Sequence, residues 1–425
     1  MTFYYKKSYV YCSYILYFVK NLITIDRTIL SKNRKVIKQL TLKTAIALLA
    51  LSVTTVSKAQ DANKINVVTS AVPFLRISPD ARAGGMGDVG IATTPDANSA
   101  FWNLAKTPFA VSRTSIAATY TPWLKDLGLN DVYLASLAGY HKLDDLSAVS
   151  ASLRYFSLGN IQFTDFAGND LSTYRPREFS VDFGYSRKVG ENLSVGVALR
   201  YINSSLAKGD PNNSGVVYKA GNAVAGDLSI YNTHLNELGQ GWSWGATLSN
   251  LGSKIGYTSD ATQKDYIPAN LGVGGAYTWA FDESNRLTAG IDINKLLVPT
   301  PPSLDDSLGI ATYRNKSPIS SWFSSFGDAG SFSNELKEFQ VSLGGEYVYN
   351  EQFALRAGYF YENKFKGNRK YFTLGAGIKY NVFGLNFSYL VPSGNGVNRN
   401  PLSNTLRFSL IFDLDSESNG TAGMQ

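Results

Sequence analysis

The chain has 425 residues with 40 Lys/Arg, 33 Asp/Glu, two His and one Cys, and a formal net charge of +7. Two histidines and a single cysteine offer too few nitrogen and sulfur ligands for a zinc or transition-metal centre, and no cofactor is expected. The basic excess sits in residues 1–59, which hold ten bases and one acid (Asp26); the other 366 residues carry 30 bases and 32 acids, so no nucleic-acid partner is expected.

In "VIKQLTLKTAIALLALSVTTVSKAQ" (36 to 60), Lys38 and Lys43 precede an apolar run from Ala45 to Val53 and the small-x-small triplet Ser57-Lys58-Ala59. This order predicts a signal peptide within residues 1–59, cleaved after Ala59 to leave Gln60 first. Residues 1–35 read as an over-extended gene start or an unusually long n-region. Cys12 falls in the removed part, and a cysteine-free exported chain suits an oxidising envelope without disulfides.

Residues 60–111 are small, Gly-rich and punctuated by proline, and they do not alternate. Within them Gly85-Met86-Gly87-Asp88-Val89-Gly90 spells G-x-G-x-x-G. A dinucleotide fingerprint needs a buried strand before it, a helix opening in it and an acid about 20 residues on. Here Pro73 and Pro79 precede it, Pro95 follows, Asp96 is too close and Asp126 too far. The glycines therefore call for a packing explanation.

From residue 112 a period of two takes over. In "REFSVDFGYSRK", Phe179, Val181, Phe183 and Tyr185 alternate with Ser180, Asp182, Gly184 and Ser186. "NLSVGVALRY", "YFTLGAGIKY" and "FGLNFSYL" repeat the pattern. Fourteen such stretches are predicted as strands: 112–124, 131–143, 147–159, 177–189, 192–207, 222–235, 241–255, 266–281, 285–298, 335–350, 352–363, 371–380, 383–392 and 405–414. Links after the even-numbered strands are short and most of those after the odd-numbered ones are long. The expected fold is all-β: a transmembrane antiparallel β-barrel of about 14 strands over 112–414, apolar outside and polar inside, with a tail at 415–425. That parity puts it in a bacterial outer membrane, in contact with lipid or lipopolysaccharide, with long loops extracellular and short turns periplasmic. Residues 60–111 are expected to fill the lumen as a hatch or plug, or else to hang in the periplasm. The inward residues read mainly as small or polar, and lumen-facing Arg200, Arg356, Lys379 and Arg407 are expected to pair with hatch or wall acids such as Asp182.

"GWSWG" (241 to 245) matches the G-x-S-x-G nucleophile elbow, but Trp242 and Trp244 continue the alternation, so Ser243 is expected within a strand. His141 and His234 are the only candidate bases. A lipid esterase built on Ser243 is the least favoured function, and no catalytic residue is assigned. The acidic pairs Asp144-Asp145 and Asp305-Asp306 read as solvated turn residues.

"ISPDARAGGMGDVGIATTPDANSAFWNLAKTPFA" (77 to 110) resembles the N-terminal signature of the FadL-like outer-membrane barrels, and most closely the branch serving the Bacteroidetes type IX secretion system. The residues carrying it are Asp80, Arg82, Gly84, Gly85, Gly87, Gly90, Trp102 and Asn103; Leu104 departs from the proline common in that family. The resemblance implies a hatch in the barrel mouth and a non-enzymatic shuttle. Such a shuttle takes cargo carrying a C-terminal signal domain from the translocon and delivers it to a sortase-containing attachment complex at the cell surface. Docking is then expected on the extracellular loops. The longest (299–334) carries Trp322, Phe323, Phe326 and Phe332 among Ser and Gly, either as partner anchors or packed back on the rim. The alternative function is a FadL-like channel for hydrophobic small molecules, which needs an apolar lumen pocket.

Overall fold

The structure, a computed structural model, describes residues 67–125, 128–164, 167–210, 215–260, 263–302, 306–392 and 405–414. The expected signal sequence and its cleavage site, Cys12, Asp305 and the tail 415–425 lie outside the described residues.

Fourteen strands close one antiparallel barrel. They are β1 (Thr114–Pro122), β2 (Val132–Lys142), β3 (Ser147–Leu158), β6 (Arg177–Lys188), β7 (Leu193–Ser205), β8 (Gly221–Leu235) and β9 (Gly241–Gly252), then β12 (Asn270–Ala280), β13 (Asn285–Leu296), β14 (Gln340–Tyr349), β15 (Phe353–Tyr361), β16 (Lys370–Tyr380), β17 (Phe383–Pro392) and β18 (Leu406–Leu414). Each pairs with its predecessor, and β1 pairs with β18 from Thr114↔Leu414 to Tyr120↔Phe408. Closure leaves no edge strand, which a sheet in hydrocarbon requires because no water can satisfy an open row of backbone groups.

Alternation decides which face meets lipid. On β6 and β7, Phe183 and Leu199 are each 66% exposed on the outer face, while Ser180 and Asp182 between them are buried on the inner one. The outer apolar side chains gain by facing acyl chains; the inner ones find partners in the lumen.

All fourteen predicted strands are present, most a little shorter than expected, and two start well inside their expected bounds. The strand expected from 335 starts at Gln340, because Ser331 caps a helix over Phe332–Leu336. The strand expected from 266 starts at Asn270, just past Pro268, which has no N–H for the ladder. The loops hold structure that alternation did not announce. Strands β4 (Ile161–Thr164) and β5 (Asp170–Tyr174) pair, as do β10 (Ile255–Gly256) and β11 (Lys264–Asp265). One end of the barrel carries the short turns and the other the long loops.

The inward residues, read mainly as small or polar, include an apolar patch. At the long-loop end Leu134, Phe156, Ile202, Phe360, Tyr371 and Leu390 turn inward and are buried. The first three join Val72, Phe74, Leu75 and Trp123 in one apolar cluster. Period-two alternation gives parity but not the partner, and here the partner is apolar chain from residues 72–75.

Candidate functional site

Residues 67–111 form α1 (Ala81–Gly85), α2 (Ser99–Trp102) and two 3-10 turns, Pro73–Arg76 and Leu104–Phe109. Strands around the whole ring touch this segment. Helix α1 lies against β15 to β18, and Leu104–Phe109 against β2, β3, β6, β7 and β8. Ile91 sits against Gly272 and Gly274 of β12, and Val89 against Gly290 of β13.

The eight signature residues hold this segment. Asp80 caps α1 by accepting from Ala83 N, and its other oxygen accepts from Trp102 Nε1 at 2.7 Å. Arg82 donates to Asp96 (3.0 Å), to Thr94 and, in a fork, to both oxygens of Glu346 on β14. Arg356 on β15 completes Glu346 at 2.6 Å. Asn103 donates from Nδ2 to the carbonyls of Ile91 and Ile230, and its Oδ1 accepts from Ala105 N. A Cβ on Gly90 would stand 2.3 Å from the Trp102 ring, and one on Gly85 3.0 Å from the Gly375 backbone. Among the described residues no strand precedes the G-x-G-x-x-G, and its glycines face protein atoms.

Several wall residues here escaped the sequence reading. Asp292 of β13 accepts from Gly90 N (2.7 Å) and Ile91 N (2.9 Å), and Thr373 of β16 bridges Gly87 N and Gly85 O. Glu346 was equally unmarked. Each lies on the inner face, so strand parity could have nominated them; their partners could not be read that way.

The inward cations divide. Arg200 pairs with Asp182, as expected, and also with Asp227 at 2.9 Å; Arg154 stands 3.6 Å from Asp182. Lys379 pairs with Asp413 near the short-turn end. Contrary to expectation, among the described residues Arg407 forms no ion pair, and its Nε and Nη1 have no hydrogen-bond partner.

At the long-loop end, the link between β13 and β14 holds three helices: α3 (Ser307–Asn315), α4 (Pro318–Ser324) and α5 (Phe332–Leu336). Asp306, Ser317 and Ser331 cap them, and Pro318 sits at the first helical position of α4. Phe323 is 76% and Phe332 78% exposed; Phe326 is also exposed, and Trp322 is half-buried. Leu308 and Ile319 add to this apolar surface. Below it Lys295 of β13 meets Glu335 and Glu338, and Lys366 donates to Glu338 at 2.8 Å. Burial alone would raise the Glu338 carboxyl, but the hydrogen bonds from the two lysines hold it below the ordinary range. Asp328, Glu335 and Glu338 approach within 4.8 Å of one another; Lys295 and Lys366 pair with the glutamates and Asp328 accepts from Thr300, a network that ties the helices to the barrel.

Ser243 is buried on the inner face of β9, sharing a hydrogen bond of 2.8 Å with Thr233. Its strand neighbour His234 points outward and stacks on Trp242, and His141 meets Thr114 on β1. The G-x-S-x-G is therefore mid-strand, with its nearest histidine on the opposite face. Asp144 accepts from Leu146 N and Ser147 N in a turn.

A model of the family described as type IX secretion system protein PorV matches residues 58–303. No curated protein matches the chain. Among solved structures it is similar to the toluene transporter TbuX of Ralstonia pickettii, at 12% identity over 80% of this chain and 98% of that one, with a TM-score of 0.48. It is also similar to the toluene transporter TodX of Pseudomonas putida, at 12% identity over 82% and 98%, with a TM-score of 0.45. A FadL homologue of Pseudomonas aeruginosa matches at 12% identity over 79% and 98%, with a TM-score of 0.43. The family match spans more than half of this closed fourteen-stranded barrel, and the chain belongs to the PorV family of type IX secretion system outer-membrane proteins.

Proposed function

We propose that this barrel is a non-enzymatic shuttle of the type IX secretion system. It holds cargo by its C-terminal signal domain as the cargo leaves the translocon, then passes it to the surface attachment complex. In this reading the long loops face outside and the short turns the periplasm, while residues 60–111 act as a hatch. The observation that carries it, beside the family, is the apolar surface of Leu308, Ile319, Phe323, Phe326 and Phe332 on capped helices at the long-loop end. Exposed aromatics on a braced frame lose little freedom on docking, which suits a partner site.

An uptake channel for hydrophobic small molecules needs free apolar lumen. The apolar inner surface near Phe156 and Ile202 is already covered by Phe74 and Leu75. Deleting the gene and comparing secretion of sorting-domain proteins with fatty-acid uptake tests the choice. Lost secretion with normal uptake is expected; normal secretion with lost uptake overturns the shuttle.

A further inference from the structure

A cavity of about 70 Å³ lies at the long-loop end, between the turn Pro73–Arg76 and the wall. At roughly 10–15 Å³ per water it has room for a phosphate- or carboxylate-sized group. Four arginines and one carboxylate, Asp88, are among its lining residues. Two of the arginines are committed elsewhere: Arg200 to Asp182 and Asp227, and Arg369 to both oxygens of Glu362. Among the described residues Arg76 has one hydrogen bond, to the neutral Gln340 at 3.5 Å, with Asp88 and Glu362 acting on it at longer range.

Arg407 is the telling residue. It is 2% exposed, it lines the cavity, and its Nε and Nη1 have no hydrogen-bond partner among the described residues. Asp80 is close enough to act on it electrostatically, but the Asp80 oxygens already accept from Ala83 N and Trp102 Nε1. Gly84 makes the placement possible, since a Cβ there would stand 2.7 Å from Arg407 Nη1. Buried charged donors without acceptors are costly, and a guanidinium fork matches the two oxygens of a carboxylate or phosphate.

We propose that this cavity binds a small oxyanion, a phosphate or carboxylate group, held by Arg407 and Arg76. The site rests on the cavity alone and is independent of the shuttle reading. The group arrives either as a free anion or as a lipid headgroup. Calorimetric titration of the full-length protein in detergent micelles with inorganic phosphate, acetate and dioctanoyl phosphatidic acid separates the two. Saturable binding of phosphate or acetate identifies a free anion; binding of the lipid alone identifies a headgroup. Arg407→Gln and Arg76→Gln should each weaken binding about tenfold or more, the usual effect of losing a charge-assisted hydrogen bond. Arg76 lies outside the barrel strands, so its variant decides the matter even where Arg407→Gln fails to assemble. No saturable binding of any of the three probes, or binding unchanged by Arg76→Gln, overturns the proposal.

Discussion

A Cβ on Gly87 would stand 2.5 Å from the backbone nitrogen of Tyr359 on β15, and Gly87 itself has φ +70°. The neighbour is backbone and has no rotamer to yield. Gly87→Ala is expected to lower the assembled fraction, and Gly87→Leu to abolish assembly, read as loss of the heat-modifiable band on gels. Gly128, with φ +78° and nothing within 4 Å of its Cβ, supplies the control. Gly128→Ala should cost only about 1 kcal/mol, from its dihedral alone. Equal behaviour of the two alanine variants would remove close packing as the reason for Gly87.

Arg82 joins α1 to Glu346 and Asp96. Arg82→Met leaves Asp96 without its cation and Glu346 with Arg356 alone. Stranding part of a buried ion network typically costs about 3–5 kcal/mol. The segment 67–111 should then become protease-sensitive at lower urea than in the wild type. Unchanged protection would show that the ion network is not what anchors it.

Lys106 is buried, donating to Gly90 O at 2.7 Å and to Thr93 Oγ1. Burial pushes its ammonium down to about 8 from 10.5. Below 8 the lysine is protonated whether folded or unfolded, and its cost is constant. Between 8 and 10.5 the unfolded chain holds the extra proton, so folded stability rises with pH and then levels off. The gain is on the order of 3 kcal/mol. Wild type should therefore gain in urea midpoint over Lys106→Met across that window. Parallel pH profiles would refute a buried ammonium.

The double variant Phe323→Ala/Phe332→Ala removes two exposed rings without opening a cavity. Barrel stability should stay within about 0.5 kcal/mol of wild type. Affinity for a cargo signal domain should fall about tenfold or more. Full affinity in a well-assembled double variant would move the docking surface elsewhere.

The barrel was legible because each strand repeats one instruction, apolar out and polar in, and its turns alternate in length. Phe183 and Asp182 show this parity directly. Pairings across the lumen were not legible. Arg82 meets Glu346 across 264 residues, and Gly90 meets Asp292 across 202. Arg200, Arg356, Lys379 and Arg407 were expected to meet hatch or wall acids, but Asp182 was the one acid named, and it faces Arg200 on the adjacent strand. The helices at 307–336 were hidden for another reason. Their caps Ser317 and Ser331 lie in a serine-rich stretch that also reads as loop, and α3 has no buried residue to set a period.

The seam between β1 and β18 carries a consequence for biogenesis. The strand leaving residues 67–111 is sealed by the last of the described strands, Thr114 opposite Leu414. Helix α1 rests on β15 to β18, so an early segment waits for late strands before its contacts exist. Forming these contacts means closing loops of nearly the full described length, a slow step that local pairing cannot replace. A chain cut short before β18 would keep twelve hairpin-type pairings, lose the seam, and leave its occupant without a wall on one side. Enclosure of residues 67–111 and closure of the barrel are thus one event, and β18 is its timing element.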